Sequence, residues 1–174
     1  MHNRGAAWPP TPRWTTSRLE WWTRAPAREL EAAVSRIVVV DNDSTFIYMM
    51  KELLEEEGYE VATCLEGESA VECIERERPA LVILDVRMEA ADTGWVILDQ
   101  LQKNPSTRDL PIIICSAALD DLRARQASLQ DSGIAVICKP FDIEDLLCLL
   151  TETLQGSGSL RPADTWIALS PIGE

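Results

Sequence analysis

With 174 residues and a formal net charge of −13, the chain can hold one domain with a sizeable core but not two ordinary ones. The acidity argues against a nucleic-acid surface, which needs clustered Lys and Arg, and leaves a protein as the easier partner. A single histidine, His2, all but excludes histidine-dependent catalysis and multi-histidine metal sites; no apolar run approaches the roughly 18 residues of a membrane span, no signal-peptide core opens the chain, and the cytoplasm is the expected compartment.

Residues 1–33 carry four of the six tryptophans, four prolines, and five arginines against three glutamates, a local charge of +2 that leaves −15 for the remainder. Pro9, Pro10 and Pro12 oppose helix. Residues 1–34 are therefore expected to be a disordered extension, or a segment outside the natural product, with the domain running from 35 to 155. From Arg36 the pattern alternates strand and helix. The run Ile37 to Val40 reads as a strand, and Ser44 is placed to cap a helix whose Phe46, Met50, Leu53 and Leu54 share a face before Gly58 ends it. Tyr59 to Thr63 reads as a second strand, followed by a helix from about Glu68 to Arg78 with Ala70, Val71 and Ile74 inward and Pro79 as its stop.

Leu81 to Leu84 forms the third strand, and after a loop to Gly94 a helix carries Ile97, Leu98 and Leu101. Pro111 to Cys115 is the fourth strand. A single polar helix is expected from Leu119 to Asp131, anchored by Leu122 and Leu129 and least firmly held of the set. Ala135 to Cys138 is the fifth strand, and the last helix, about Asp142 to Leu154, buries Leu146, Leu147, Leu150 and Leu154. Five βα units with right-handed crossovers give an α/β fold, a five-stranded parallel sheet with helices on both faces. Residues 156–174, opening Gly-Ser-Gly-Ser, are expected to be a flexible tail. The five cysteines show no paired metal-ligand spacing and read as small buried thiols.

Three of the strand-like runs end in charge: Asp41 and Asp43 after the first, Asp85 after the third, Lys139 after the fifth. Open α/β sheets bind ligands beyond the carboxyl ends of their strands. Carboxylates facing one ammonium there suit a hard divalent cation and a phosphoryl group.

In order along the chain, IVVVDNDST, LVILDVRM, PIIICSA and AVICKPF, set in five βα units, resemble the motifs of a response-regulator receiver domain over about Ser35 to Gln155. The resemblance implies a flavodoxin-like sheet of order 2-1-3-4-5. It implies that Asp85 accepts a phosphoryl group from a histidine kinase or phosphotransfer protein, with Lys139 pairing with phosphoryl oxygens and Ser116 sensing the phosphate. It further implies Mg2+ held by Asp41, Asn42, Asp85 and the Arg87 backbone carbonyl, and a cis bond between Lys139 and Pro140. The expected role is a single-domain switch acting on a downstream protein target, with no attached output domain, no external substrate to turn over, no nucleic acid and no membrane.

Three departures from the family pattern stand out. Asn42 occupies the usual place of a second acid, so Mg2+ is expected to bind more weakly. The segment between Asp85 and Gly94 is one residue longer than common, with Glu89 where proline is frequent, and Val136 replaces a switching aromatic. Two other readings stay open. One is a receiver-like interaction module independent of phosphorylation, motivated by Asn42. The other is a haloacid-dehalogenase-like phosphatase, which Asp41-Asn42-Asp43-Ser44-Thr45 also resembles, with Asp41 as nucleophile and Asp43 as acid/base. Asp43 is equally readable as a helix cap.

Overall fold

The computed structural model describes residues 35–155 and 166–167; the expected N-terminal extension and most of the expected tail lie outside the described residues. Runs of Val and Ile favour extended backbone, and a strand covered on both faces has no polar side to alternate. Accordingly β1 (Arg36–Val40) is buried beyond its first residue, and β3 (Leu81–Leu84), β4 (Ile112–Ser116) and β5 (Ala135–Cys138) are buried throughout. β2 (Glu60–Cys64) has mixed burial, as its place at a border requires. All pairings are parallel, and the first five strands take the order β2-β1-β3-β4-β5, as expected.

A sixth strand, β6 (Trp166–Ile167), pairs in parallel with Val136 and Ile137 of β5. These two residues fall within 156–174, the rest of which lies outside the described residues. Two residues are too short for a periodicity signal, so composition alone gave no sign of it.

The helices divide between two faces. α1 (Ser44–Glu56) and α6 (Ile143–Leu154) cover Ile37, Val39, Leu81, Ile83, Ile113, Cys115, Ala135 and Ile137 through Ile47, Met50, Leu54, Leu146, Leu149 and Leu150. The opposite face, led by Val38, Val40, Val82, Leu84, Ile114 and Val136, is covered by α2 (Gly67–Glu77), α3 (Thr93–Lys103), α4 (Leu119–Ala124) and α5 (Gln126–Asp131). Ile47 and Leu149 thus take central places that the sequence pattern assigned to Leu53 and Leu147, which are only partly buried. α2 stops where Arg78 adopts a left-handed conformation, φ 46°, just before Pro79.

The single helix expected over 119–131 is two. α4 ends and α5 begins around Arg125, whose guanidinium lies over the Trp95 ring of α3, 4.5 Å from its centroid. Each half fully buries one large side chain, Leu122 and Leu129. One leucine apiece is worth about 2 kcal/mol of apolar burial, so this remains the least firmly held part of the layer.

Candidate functional site

Register decides what meets at the sheet's rim. Val40 lies beside Cys64 on one side and Leu84 on the other, Leu84 beside Ile114, and Ser116 beside Cys138. The ladder runs one residue past several strands: the Asp41 amide donates to the Cys64 carbonyl at 3.1 Å, Asp85 to Val40 at 2.9 Å, and Lys139 to Ser116 at 3.0 Å. Asp41, Asp85, Ser116 and Lys139 therefore leave the sheet at one level, and their side chains converge.

Lys139 Nζ sits between the two acids, 2.5 Å from Asp41 Oδ2 and 2.9 Å from Asp85 Oδ2. Its third neighbour is the face of Phe46, 3.8 Å to the ring centroid; Phe46 in turn meets Phe141 edge to face. The Lys139-Pro140 bond is cis. Asp85 Oδ1 accepts the Ser116 hydroxyl at 2.6 Å and the Arg87 amide at 2.8 Å. Asp41 Oδ1 accepts the Asp43 amide at 2.8 Å. Both acids are buried, at 1% exposure for Asp41 and 8% for Asp85, so the shared ammonium is the charge that keeps them from facing each other unpaired. Burial pushes the Asp41 carboxyl above its ordinary pKa, against the opposing pull of Lys139 and the Asp43 amide. Burial also works against the Lys139 charge, but its hydrogen bonds to Asp41 and Asp85 outweigh that and hold the ammonium above the usual lysine value.

Not every acid at this rim belongs to the site. The Asp43 carboxylate accepts the amides of Thr45 and Phe46 and caps α1, which begins at once with Ser44. Asp43, not Ser44, is thus the cap, and its Oδ1 is taken up by those two amides. The immediate start of α1 also leaves no flap over Asp41, which removes the structural basis of the phosphatase reading. Asn42 is exposed beside Asp41. Sequence reasoning missed two supports. Phe46 was visible only as part of an apolar face. Gly94 was visible only as a helix start, yet a Cβ there would lie 2.3 Å from the Asp85 carbonyl oxygen and from Val86 Cα. The loop above Asp85 is tied down by Glu89, whose carboxylate accepts the Gly67 amide at 3.2 Å.

Among the described residues no group of three His, Cys, Asp or Glu side chains converges on a cation position. What the rim offers in hard oxygen donors is the pair of carboxylates, Asp41 and Asp85, that share Lys139. That set is of the kind Mg2+ takes, with one formal negative charge fewer than a three-acid site. Beside it a cavity of about 270 Å³ is lined by Arg87, Ala117, Ala118, Leu119, Asp120, Asp121 and Arg123, and the Arg87 guanidinium lies 3.9 Å from the Asp121 carboxylate of α4.

Comparison with known proteins shows the family and the fold. The sequence model of the response regulator receiver domain matches residues 37–151. The transcriptional regulatory protein PdtaR of Mycobacterium tuberculosis is 39% identical over 127 residues, which cover 70% of this chain and 58% of that protein. The chain thus spans less than two thirds of the length of this curated relative. Among solved structures, the CheY-like response regulator receiver domain protein of Methanospirillum hungatei is 26% identical with a TM-score of 0.61, covering 71% of this chain and 95% of that one. The receiver domain of the sensor histidine kinase PA1611 of Pseudomonas aeruginosa, solved with a magnesium ion in its active site cleft, is 23% identical with a TM-score of 0.60, over 71% of this chain and 99% of that one; this likeness bears on the fold.

Proposed function

This chain belongs to the response regulator receiver domain family of two-component systems, and from that membership we propose that Asp85 is its phosphoacceptor. The observation that carries the reading is the shared ammonium: Lys139 bridges Asp41 and Asp85 while Ser116 donates to the other oxygen of Asp85. In the proposed reaction an Asp85 carboxylate oxygen attacks the phosphorus of a phosphohistidine on a kinase or phosphotransfer protein. The O–P bond forms as the P–N bond breaks, and the imidazole leaves with its electron pair. Lys139 is held in place to pair with the phosphoryl oxygens, and the Ser116 hydroxyl, already on Asp85 Oδ1, can turn to donate to one of them. Asp41, Asp85, the Arg87 carbonyl and Asn42 would hold Mg2+, which when bound offsets negative charge shared by the carboxylate and the transferring group. The output would be altered contact with a downstream protein, in keeping with a net charge of −13.

One observation favours a second reading, a receiver that works without phosphorylation: the site has only two carboxylates, with Asn42 exposed beside them. Intact mass after incubation with acetyl phosphate, with and without Mg2+, separates the two. We expect one added phosphoryl group that requires Mg2+ and is lost in Asp85→Ala. An unmodified protein, or labelling that survives Asp85→Ala, would sink the phosphoacceptor assignment.

A further inference from the structure

Away from the carboxylate site, two cysteines share a pocket wall. Cys64 ends β2 and Cys73 lies within α2, both on the sheet face that α2 covers. The Cys64 thiol donates to the Glu66 carbonyl at 3.2 Å and lies 3.4 Å from the Ser69 hydroxyl. Ser69 and Cys73 are four residues apart on α2 and so lie on one stripe of the helix, above Cys64. Both cysteines belong to one buried cluster and line one cavity, with the Ser69 hydroxyl beside the Cys64 thiol one turn before Cys73. One turn on, the Arg76 guanidinium donates to Cys73 Sγ at 3.6 Å, where it would favour a thiolate. Cys64, Ser69, Cys73 and Arg76 line a cavity of about 290 Å³, and the thiols retain 6% and 7% exposure where Cys115, on the other sheet face, has 1%. Burial, and next the neighbouring Cys64, push the Cys73 thiol above its ordinary pKa, with Arg76 pulling the other way.

We propose that Cys64 and Cys73 form a modifiable dithiol that closes to an intramolecular disulfide when a small disulfide oxidant reaches this cavity. One thiolate attacks a sulfur of the oxidant, forming a mixed disulfide and expelling the first small thiolate. The second cysteine, as thiolate, then attacks the protein sulfur of that mixed disulfide and expels the second. The oxidant is reduced to two thiols, which take up the two protons the cysteines lose. The bridge has a route to the rim: the Cys64 carbonyl accepts the Asp41 amide, and Gly67, between the cysteines, donates to Glu89 of the loop above Asp85. Closing it changes the anchor of Asp41. That consequence rests on the phosphoacceptor reading; the disulfide itself does not.

The test treats the full chain with oxidised glutathione, blocks remaining thiols and maps peptides by mass. A Cys64–Cys73 cross-linked peptide is expected, absent from Cys64→Ser and Cys73→Ser and still formed in Asp85→Ala, with several-fold weaker beryllium fluoride binding by the oxidised wild type than by the reduced. Stable glutathione adducts alone, or Cys64 and Cys73 both free to alkylate once the treated protein is unfolded, would overturn the dithiol. Unchanged beryllium fluoride affinity with the cross-link present would overturn its coupling to the site.

Discussion

The most consequential residue is one that lacks a charge. Asn42 leaves Asp41 and Asp85 to balance one lysine, so the rim carries a formal −1 before any cation arrives. Asn42→Asp should therefore tighten Mg2+ by roughly tenfold, about 1.4 kcal/mol, read by titration of tryptophan fluorescence. Unchanged or weaker affinity would show that residue 42 does not face the ion. Asp41 makes the complementary case. Its folded pKa lies above the ordinary 3.8, so its contribution to stability is present below that value and is lost as pH rises through the raised one. Asp41→Asn, which cannot titrate, should thus be more stable than the parent at pH 7 in chelator, with the gap closing as pH falls toward the ordinary carboxylate range. Urea midpoints across that range check it; a variant that is less stable at pH 7 shows that the Lys139 pair outweighs burial.

Among the elements, α3 starts against the end of β3 with no room to spare. At Gly94 a methyl group would meet the backbone at Asp85 and Val86, neither of which can rotate away. Gly94→Ala is expected to cost on the order of 2–4 kcal/mol of stability, measured by chemical denaturation, and to impair phosphoryl acceptance in whatever fraction stays folded. The broken α4–α5 pair is the element with most freedom. It is tied to the rim by the Arg87–Asp121 ion pair, whose ends are largely exposed, and to α3 by Arg125 over Trp95. With Val136 buried in β5 and unable to hydrogen-bond through its side chain, the proposed signal is expected to travel by displacement of these short helices. Hydrogen exchange with and without beryllium fluoride and Mg2+ should change around Leu122 and Leu129. Changes confined to α1 and α2 would refute that route.

Across the whole molecule, what was legible in the sequence was what period and punctuation encode. The buried strands are continuous β-branched runs, and the charges that close them mark the rim because a parallel register brings all strand ends to one side. Asp85, Asp41 and Lys139 could be placed this way without knowing a single distance, whereas Ser116 needed the family resemblance. The two-helix form of 119–131 could not, since its residues are compatible with helix throughout and the break at Arg125 is bound up with a contact to Trp95, about thirty positions away. The role of Asp43 hung on a side-chain direction, which spacing leaves open until α1 is seen to start at Ser44. Strand β6 was missed for want of length.

That short strand matters beyond its size. Parallel pairing of Trp166–Ile167 on Val136 and Ile137 occupies peptide groups of β5 that would otherwise face outward. A second molecule, or any partner that docks by extending the sheet, must compete there with a segment of the chain itself, whose effective concentration is set by the linker and not by dilution. The contest would be intramolecular on one side only, so any pairing of two copies across this border would need a concentration high enough to outcompete the chain's own segment.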